Sequence, residues 1–169
     1  MHESLVKITF GGNPLTLLGN EIKVGDKAPD FVAVGAGLAP VKLSDFAGKA
    51  VVVAVYPSID TGVCAAQNRR FNAEANNMKD VVVLSISCDL PFAQSRFCAA
   101  EGLENIKTIS DHKDLDFGQK YGYWIKELRL LARGTVVIDK TGIVRYVEYV
   151  SEVTHEPNYE AALAVVKNL

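Results

Sequence analysis

Val51-Val52-Val53-Ala54-Val55-Tyr56 runs directly into Pro57-Ser58-Ile59-Asp60-Thr61-Gly62-Val63-Cys64, and the reading of this stretch decides the architecture. The first half is an unbroken apolar, mostly β-branched run, the pattern of a strand covered on both faces. The second half is broken by Pro57 and Gly62 and leads into a helical stretch from about Gly62 to Asn77. There Phe71, Ala75 and Met78 recur at i, i+4 and i+7 and form one inward stripe. A buried strand feeding a helix through a short loop predicts an open α/β sheet. Chemistry in such sheets gathers at the carboxyl ends of the strands, where the loops converge.

The alternation continues outward from this point. Val81 to Ile86 reads as a second buried strand, followed by a helix from Phe92 to about Ala100 with Ala93, Phe97 and Ala100 on its core face. Thr135 to Ile138, the turn Asp139-Lys140-Thr141-Gly142 and Ile143 to Tyr149 predict a hairpin. A closing helix from Asn158 to Lys167 places Tyr159, Leu163 and Val166 on one face. At the other end, Val6–Phe10 and Leu15–Leu18 flank Gly11-Gly12-Asn13-Pro14, a second hairpin that leads through Lys23–Phe31 to a short strand near Phe31–Val34. Together these predict a mixed sheet with helices on both faces, the plan of a thioredoxin-like α/β fold. No repeat, linker or low-complexity tract divides the chain, so residues 1–169 read as one domain with residues 1–20 as an N-terminal β-hairpin extension.

Composition narrows the function classes. The chain has 169 residues, 49% hydrophobic and 22% charged, with a net charge of -2. That balance gives no basic bias toward nucleic acid, and Arg69–Arg70 is the only adjacent arginine pair. The longest apolar run, Ala50 to Tyr56, is too short to span a bilayer. Met1 to Lys7 lacks the pattern of a secretory leader, so a soluble cytoplasmic protein is expected. Three cysteines, Cys64, Cys88 and Cys98, form an odd set and argue against a permanent disulfide framework. Zinc is disfavoured because no C-x-x-C or H-x-x-x-H spacing occurs. His2, His112 and His155 are scattered in polar surroundings and read as surface residues.

The remaining chemistry centres on Cys64. Asp60 or Thr61 is placed to cap the helix, which puts Cys64 in or near its first turn. Unpaired N–H groups and the helix dipole there favour a thiolate, the reactive form. This accounts for little of a fast reaction. Full ionisation from a thiol of pKa ~8.5 raises the thiolate population roughly thirtyfold, while a drop of ~2.5 pKa units costs about tenfold in nucleophilicity. The rest must come from groups that hold the substrate and stabilise the departing charge. Thr61 offers a hydroxyl, Pro57 stiffens and screens the loop, and an arginine from elsewhere would supply fixed positive charge. By position alone, Cys64 is open to two readings, a small buried hydrophobe or an activated nucleophile.

Pro57-x-x-x-Thr61-x-x-Cys64 resembles the active-site motif of the peroxiredoxins, and the wider run PSIDTGVCAAQNRRFN (Pro57 to Asn72) is similar to their thiol peroxidase branch. Asp89-Leu90-Pro91-Phe92-Ala93-Gln94-Ser95-Arg96-Phe97-Cys98 resembles the segment of that branch that carries a resolving cysteine. Leu130-Leu131-Ala132-Arg133 resembles the segment with the active-site arginine. Only this resemblance selects Arg133 among equally charged arginines. It implies an atypical two-cysteine cycle, in which Cys64 attacks a hydroperoxide and Cys98 of the same chain closes a disulfide that thioredoxin reduces. It also implies hydrogen peroxide and alkyl hydroperoxides as substrates, a homodimer, and no need for metal, haem or flavin.

Plainer readings stand beside these. Thr61 also serves as a cap and Pro57 as a loop stiffener, and Cys88 reads as structural. Cys98 shares a helix face with Gln94 and Glu101 at the margin of the apolar stripe, where a thiol is accessible. A thioredoxin-like disulfide exchanger is the enzymatic rival, disfavoured because Cys64 has no C-x-x-C partner. A stoichiometric peroxide sensor is the non-enzymatic rival. With both cysteines on helices, Cys64 and Cys98 are expected to lie too far apart to bond until one or both helix segments unwind, the Phe92–Ala100 segment foremost.

Overall fold

The computed structural model describes residues 1–169. The first half of the chain forms β1 (Glu3–Phe10), β2 (Asn13–Leu18), β3 (Val32–Val34), β4 (Pro40–Lys42), β5 (Ala50–Val55), α1 (Gly62–Ala75) and β6 (Val81–Ser87). The second half forms α2 (Pro91–Glu101), β7 (Lys107–Ser110), α3 (Asp116–Tyr121), β8 (Trp124–Ile125), β9 (Leu130–Leu131), β10 (Gly134–Ile138), β11 (Val144–Tyr149) and α4 (Tyr159–Lys167).

The predicted central strand is β5, and every one of its residues is buried. It pairs in parallel with β6, Val55 opposite Ile86, and antiparallel with β10, Val55 opposite Gly134. These strands lie inside a seven-stranded mixed sheet of order β11-β10-β5-β6-β7-β3-β4. Alternation along β5 divides the core in two. Val51, Val53 and Val55 pack with Phe117, Tyr121 and Leu17 on the face covered by α3 and the N-terminal hairpin. Val52 and Ala54 pack on the other face with Phe71 of α1 and Ala162, Leu163 and Val166 of α4. Each buried Val contributes roughly 1.5–3 kcal/mol relative to exposure. Such runs tolerate no polar residue without a partner. This is a thioredoxin-like α/β fold, with helices on both faces.

Several elements differ from the sequence-based expectation. The hairpin β1–β2 does not stand alone, because Leu17 and Leu18 pair with Ile125 and Trp124 in a second sheet of order β1-β2-β8-β9. The short elements β7, α3, β8 and β9 carry no periodic signal long enough to read. Helix α1 ends at Ala75 rather than Asn77, and Phe71 is buried on its inward side as expected. Helix α2 turns a different face to the core. Ala93 and Phe97 are half-buried, but Ala100 is exposed and Gln94, placed by the wheel on the polar margin, is buried. Gln94 can be inside because its amide finds two acceptors, Ser87 Oγ at 3.1 Å and Ile109 O at 2.8 Å. His2 and His155 are exposed and His112 is half-buried. No helix is long and apolar enough to cross a membrane.

Candidate active site

The parallel register of β5 and β6 sets the loops after both strands side by side, and Asp89 ties them together. Its carboxylate accepts from Ser58 Oγ at 2.9 Å, Ile59 N at 2.8 Å and Ser87 Oγ at 2.7 Å. Buried Pro57 carries the chain out of β5 without presenting an N–H that would need a partner. Thr61 is the N-cap of α1. Its hydroxyl oxygen accepts from Cys64 N and its proton is directed to Ser58 O, both at 3.3 Å. Removing such a cap typically costs about 1 kcal/mol. The cap also holds Cys64 in the first turn.

Cys64 is fully buried in a cluster with Tyr56 and Ile59, against which Ala93 and Phe97 of α2 pack. Its carbonyl accepts from Asn68 Nδ2 at 3.0 Å. The Asn68 side-chain oxygen in turn bonds Ser85 Oγ, and Ser85 bonds the Tyr56 hydroxyl at 2.9 Å. With the Ser85 proton given to Asn68, Tyr56 is the donor in the second bond. Burial raises the Tyr56 phenol far above its ordinary value, so it stays a proton-bearing donor.

Arg133, between β9 and β10, is only 2% exposed. Its guanidinium donates in three directions: Nε to Val153 O at 2.8 Å, Nη1 to Gln67 Oε1 at 2.8 Å, and Nη2 to Cys64 Sγ at 3.2 Å. Gln67 is itself held, its amide donating to Val55 O at 3.2 Å and Gly134 O at 3.5 Å. Among the three acceptors around Arg133 only the sulfur is ionisable. A buried cation normally requires an anion nearby. The geometry therefore suits negative charge on or beside Sγ, including charge that develops on an oxygen attached to it.

The structure thus brings Pro57, Thr61, Cys64 and Arg133 together. It leaves Cys98 apart. Cys98 is half-buried on α2, with Sγ 3.9 Å from Thr108 Oγ1 on β7, and it packs on the α1–α4 core rather than around Cys64. No disulfide joins the two, and burial pushes the Cys98 thiol up. Cys88, just past β6, is a partly buried free thiol pushed up to about 12 by burial, with the Asp111 carboxylate adding to the effect.

Sequence reasoning missed Gln67, Asn68 and Asp89. Gln67 lies at i+3 from Cys64 and Asn68 at i+4, so both share its helix face. Polar residues on an inward face were the available signal. Nothing local to Asp89 marks it as the pin of a loop thirty residues upstream.

Comparison with known proteins agrees with this geometry. The Redoxin family model matches residues 23–163. A thiol peroxidase of Halalkalibacterium halodurans is 58% identical over 163 residues, covering 96% of this chain and 98% of the relative. A thiol peroxidase of Bacillus subtilis is 53% identical, covering 98% of this chain and 99% of the relative. The crystal structure of a peroxiredoxin-like protein from Aquifex aeolicus superposes with a TM-score of 0.91 at 38% identity, over 99% of both chains. With its nucleophile-bearing turn, its buried arginine and this similarity along nearly its whole length, the chain belongs to the Redoxin family, among the thiol peroxidases.

Proposed function

We propose that the protein is a thiol-dependent peroxidase that reduces hydrogen peroxide and alkyl hydroperoxides. The observation that carries the reading is the 3.2 Å contact of the Arg133 guanidinium with a fully buried Cys64 sulfur at a capped helix start. The Cys64 thiolate attacks the terminal peroxide oxygen. A new S–O bond forms as the O–O bond breaks, and the departing oxygen takes a proton to leave as alcohol or water, so that Cys64 becomes a sulfenic acid. Arg133 faces the charge that builds on both oxygens. The Thr61 hydroxyl turns from Ser58 O to the bound peroxide, and Pro57 screens the pocket.

Cys98 then attacks the sulfenic sulfur, forming the Cys64–Cys98 disulfide and releasing water. A dithiol reductant of the thioredoxin type returns both thiols, as antioxidant defence requires. The three unbonded cysteines accord with a reducing cytoplasm. The homodimer is proposed from the likeness to the thiol peroxidases.

Cys64→Ser tests the centre of this reading. A near-isosteric hydroxyl is a far weaker nucleophile at neutral pH, so peroxide consumption in a thioredoxin-coupled assay should fall to background with the fold intact. A folded Cys64→Ser protein with wild-type turnover would exclude the mechanism. Many turnovers by the wild type separate a catalyst from a stoichiometric sensor.

A further inference from the structure

Helix α2 is attached to the protein in an unusual way. Its apolar anchorage is confined to its first residue and one flank: Pro91 is buried, Ala93 and Phe97 are half-buried, and Phe92 is 64% exposed. The buried side chain at its centre is polar. Gln94, 1% exposed, donates its amide to Ser87 Oγ on β6 and Ile109 O on β7, while its own Oε1 has no partner. At the other end Glu101, the last residue of α2, takes a two-pronged contact from Arg69 of α1, Nε and Nη2 each at 2.9 Å. Gly102 then ends the helix in a left-handed conformation, φ 66°. Gln94, Cys98 and Glu101 stand at i, i+4 and i+7 and share one helix face. That face, with Cys98 against Thr108, joins α2 to β6, β7 and α1.

We propose that Gln94 and Glu101 are positioning residues that hold α2 closed over Cys64, and that release of their contacts sets the rate at which Cys98 is delivered to the oxidised thiol. This rests on the peroxidase reading above and goes beyond it by naming what governs the second step. Pro91 and Phe97 resist opening, whereas these polar contacts exchange readily for water and set how much further resistance there is. A neutral hydrogen bond is worth little net when both groups become hydrated, and an exposed ion pair is worth less still. No group of the protein bonds Gln94 Oε1 while the helix is closed, so opening costs this atom no hydrogen bond within the chain. Ser87 couples the two parts of the site, since it accepts from Gln94 and donates to Asp89, the residue that pins the Cys64 loop. Exposure also relieves the burial that holds the Cys98 thiol up.

Two fates compete for the sulfenate of Cys64. In one, the Cys98 sulfur forms an S–S bond as the S–O bond breaks and water leaves. In the other, a second hydroperoxide adds an oxygen, giving the sulfinate and one alcohol. A looser α2 shifts the balance toward the first.

The test follows sulfenate decay, disulfide formation and sulfinate yield by rapid quench and mass spectrometry under a hydroperoxide series. Gln94→Ala should speed disulfide formation roughly tenfold. Glu101→Gln and Arg69→Gln, which alter surface side chains and keep the test open if Gln94→Ala fails to fold, should each speed it roughly two- to fivefold. Combining the two surface changes should add nothing further. Sulfinate yield should fall in proportion, and in Glu101→Gln and Arg69→Gln the first oxidation of Cys64 should be unchanged. Leu17→Ala in the N-terminal hairpin, a cavity in the core on the other face of the sheet, should lower stability without changing the disulfide rate. Wild-type disulfide rates in all the α2-contact variants, or equal acceleration by Leu17→Ala, would overturn the proposal while Cys98→Ser, unable to resolve, upholds the cycle. A Cys98→Ser protein that still closes an intramolecular disulfide on Cys64 would overturn both.

Discussion

Replacing Arg133 by Met keeps an unbranched side chain in the space between β9, β10 and α1 and removes the charge. Three donated bonds disappear, but they are not equivalent. Those to Val153 O and Gln67 Oε1 aim the guanidinium, and only the one to Cys64 Sγ faces the reacting atoms. A fixed donor aimed at developing negative charge in a dry site is worth about 2.7–4 kcal/mol, a factor of about 10²–10³ in rate. Changes in thiol ionisation account for only a few-fold, by the opposing effects of thiolate population and nucleophilicity. The second-order constant for Cys64 oxidation should therefore fall about 10²–10³-fold in Arg133→Met, and should stay low as pH is raised from 6 to 9. Arg133→Lys keeps the charge but cannot serve three acceptors in the fork geometry of a guanidinium, so an intermediate loss is expected. Rapid mixing with hydroperoxide, quenching with a thiol-alkylating reagent and mass spectrometry of the Cys64 peptide measure the step directly. Circular dichroism and a urea midpoint check the fold. Recovery of the wild-type rate in Arg133→Met at high pH would refute the argument and confine Arg133 to ionising the thiol.

The other expected outcomes concern groups outside the reacting cluster. Burial pushes Asp111 up to about 7 from an ordinary 3.8, despite the backbone N–H groups of Phe117 and Gly118 that its oxygens accept. The folded protein then binds a proton that the unfolded chain has lost, so this group's contribution is full below pH ~4 and declines as pH rises through 7. Stability from urea melts should drop by about 2 kcal/mol between pH 5 and 7; Asp111→Asn should lack that slope, and an equal slope in the variant would rule Asp111 out as its source. Glu152, held low by Thr154 and the Gly12 N–H, acts in the opposite sense, losing its contribution only below this window, as pH falls through about 4 and lower. Cys88→Ser should keep wild-type peroxide turnover, because a thiol pushed up to about 12 is neither nucleophile nor ready leaving group at neutral pH. Lost turnover in a folded Cys88→Ser protein would give that residue a part in the cycle.

What was readable beforehand follows the range of the forces involved. Strand β5 was legible because burial on both faces leaves no polar position, and the start of α1 because Thr61 caps it locally. The closing helix was legible down to Tyr159, Leu163 and Val166, which are its buried face. Helix α3 was not, and Gly118 shows why. A glycine at mid-helix argues against helix from propensity alone. Here a Cβ would come 2.9 Å from Leu131 Cδ2, so the residue is dictated by a neighbour thirteen positions away. Gln94 misled the wheel for the same reason, since its acceptors, Ser87 and Ile109, lie on two different strands. Arg133 needed the resemblance, because an arginine's charge says nothing about which cavity will receive it.

Peroxide reduction and disulfide closure place opposite demands on the region around Cys64. The first requires a dry sulfur and fixed donors; the second requires the lid to leave. The structure assigns these demands to different supports. Gln67 aims Arg133, and Gln67 is held by Val55 O and Gly134 O, which face each other across β5 and β10. None of those contacts involves α2. The proposed opening of α2 would leave these contacts intact, so the guanidinium would keep its aim and the oxidising geometry would return when the helix closes. Had the arginine been anchored to α2, each turnover would have to rebuild the site before the next peroxide could react.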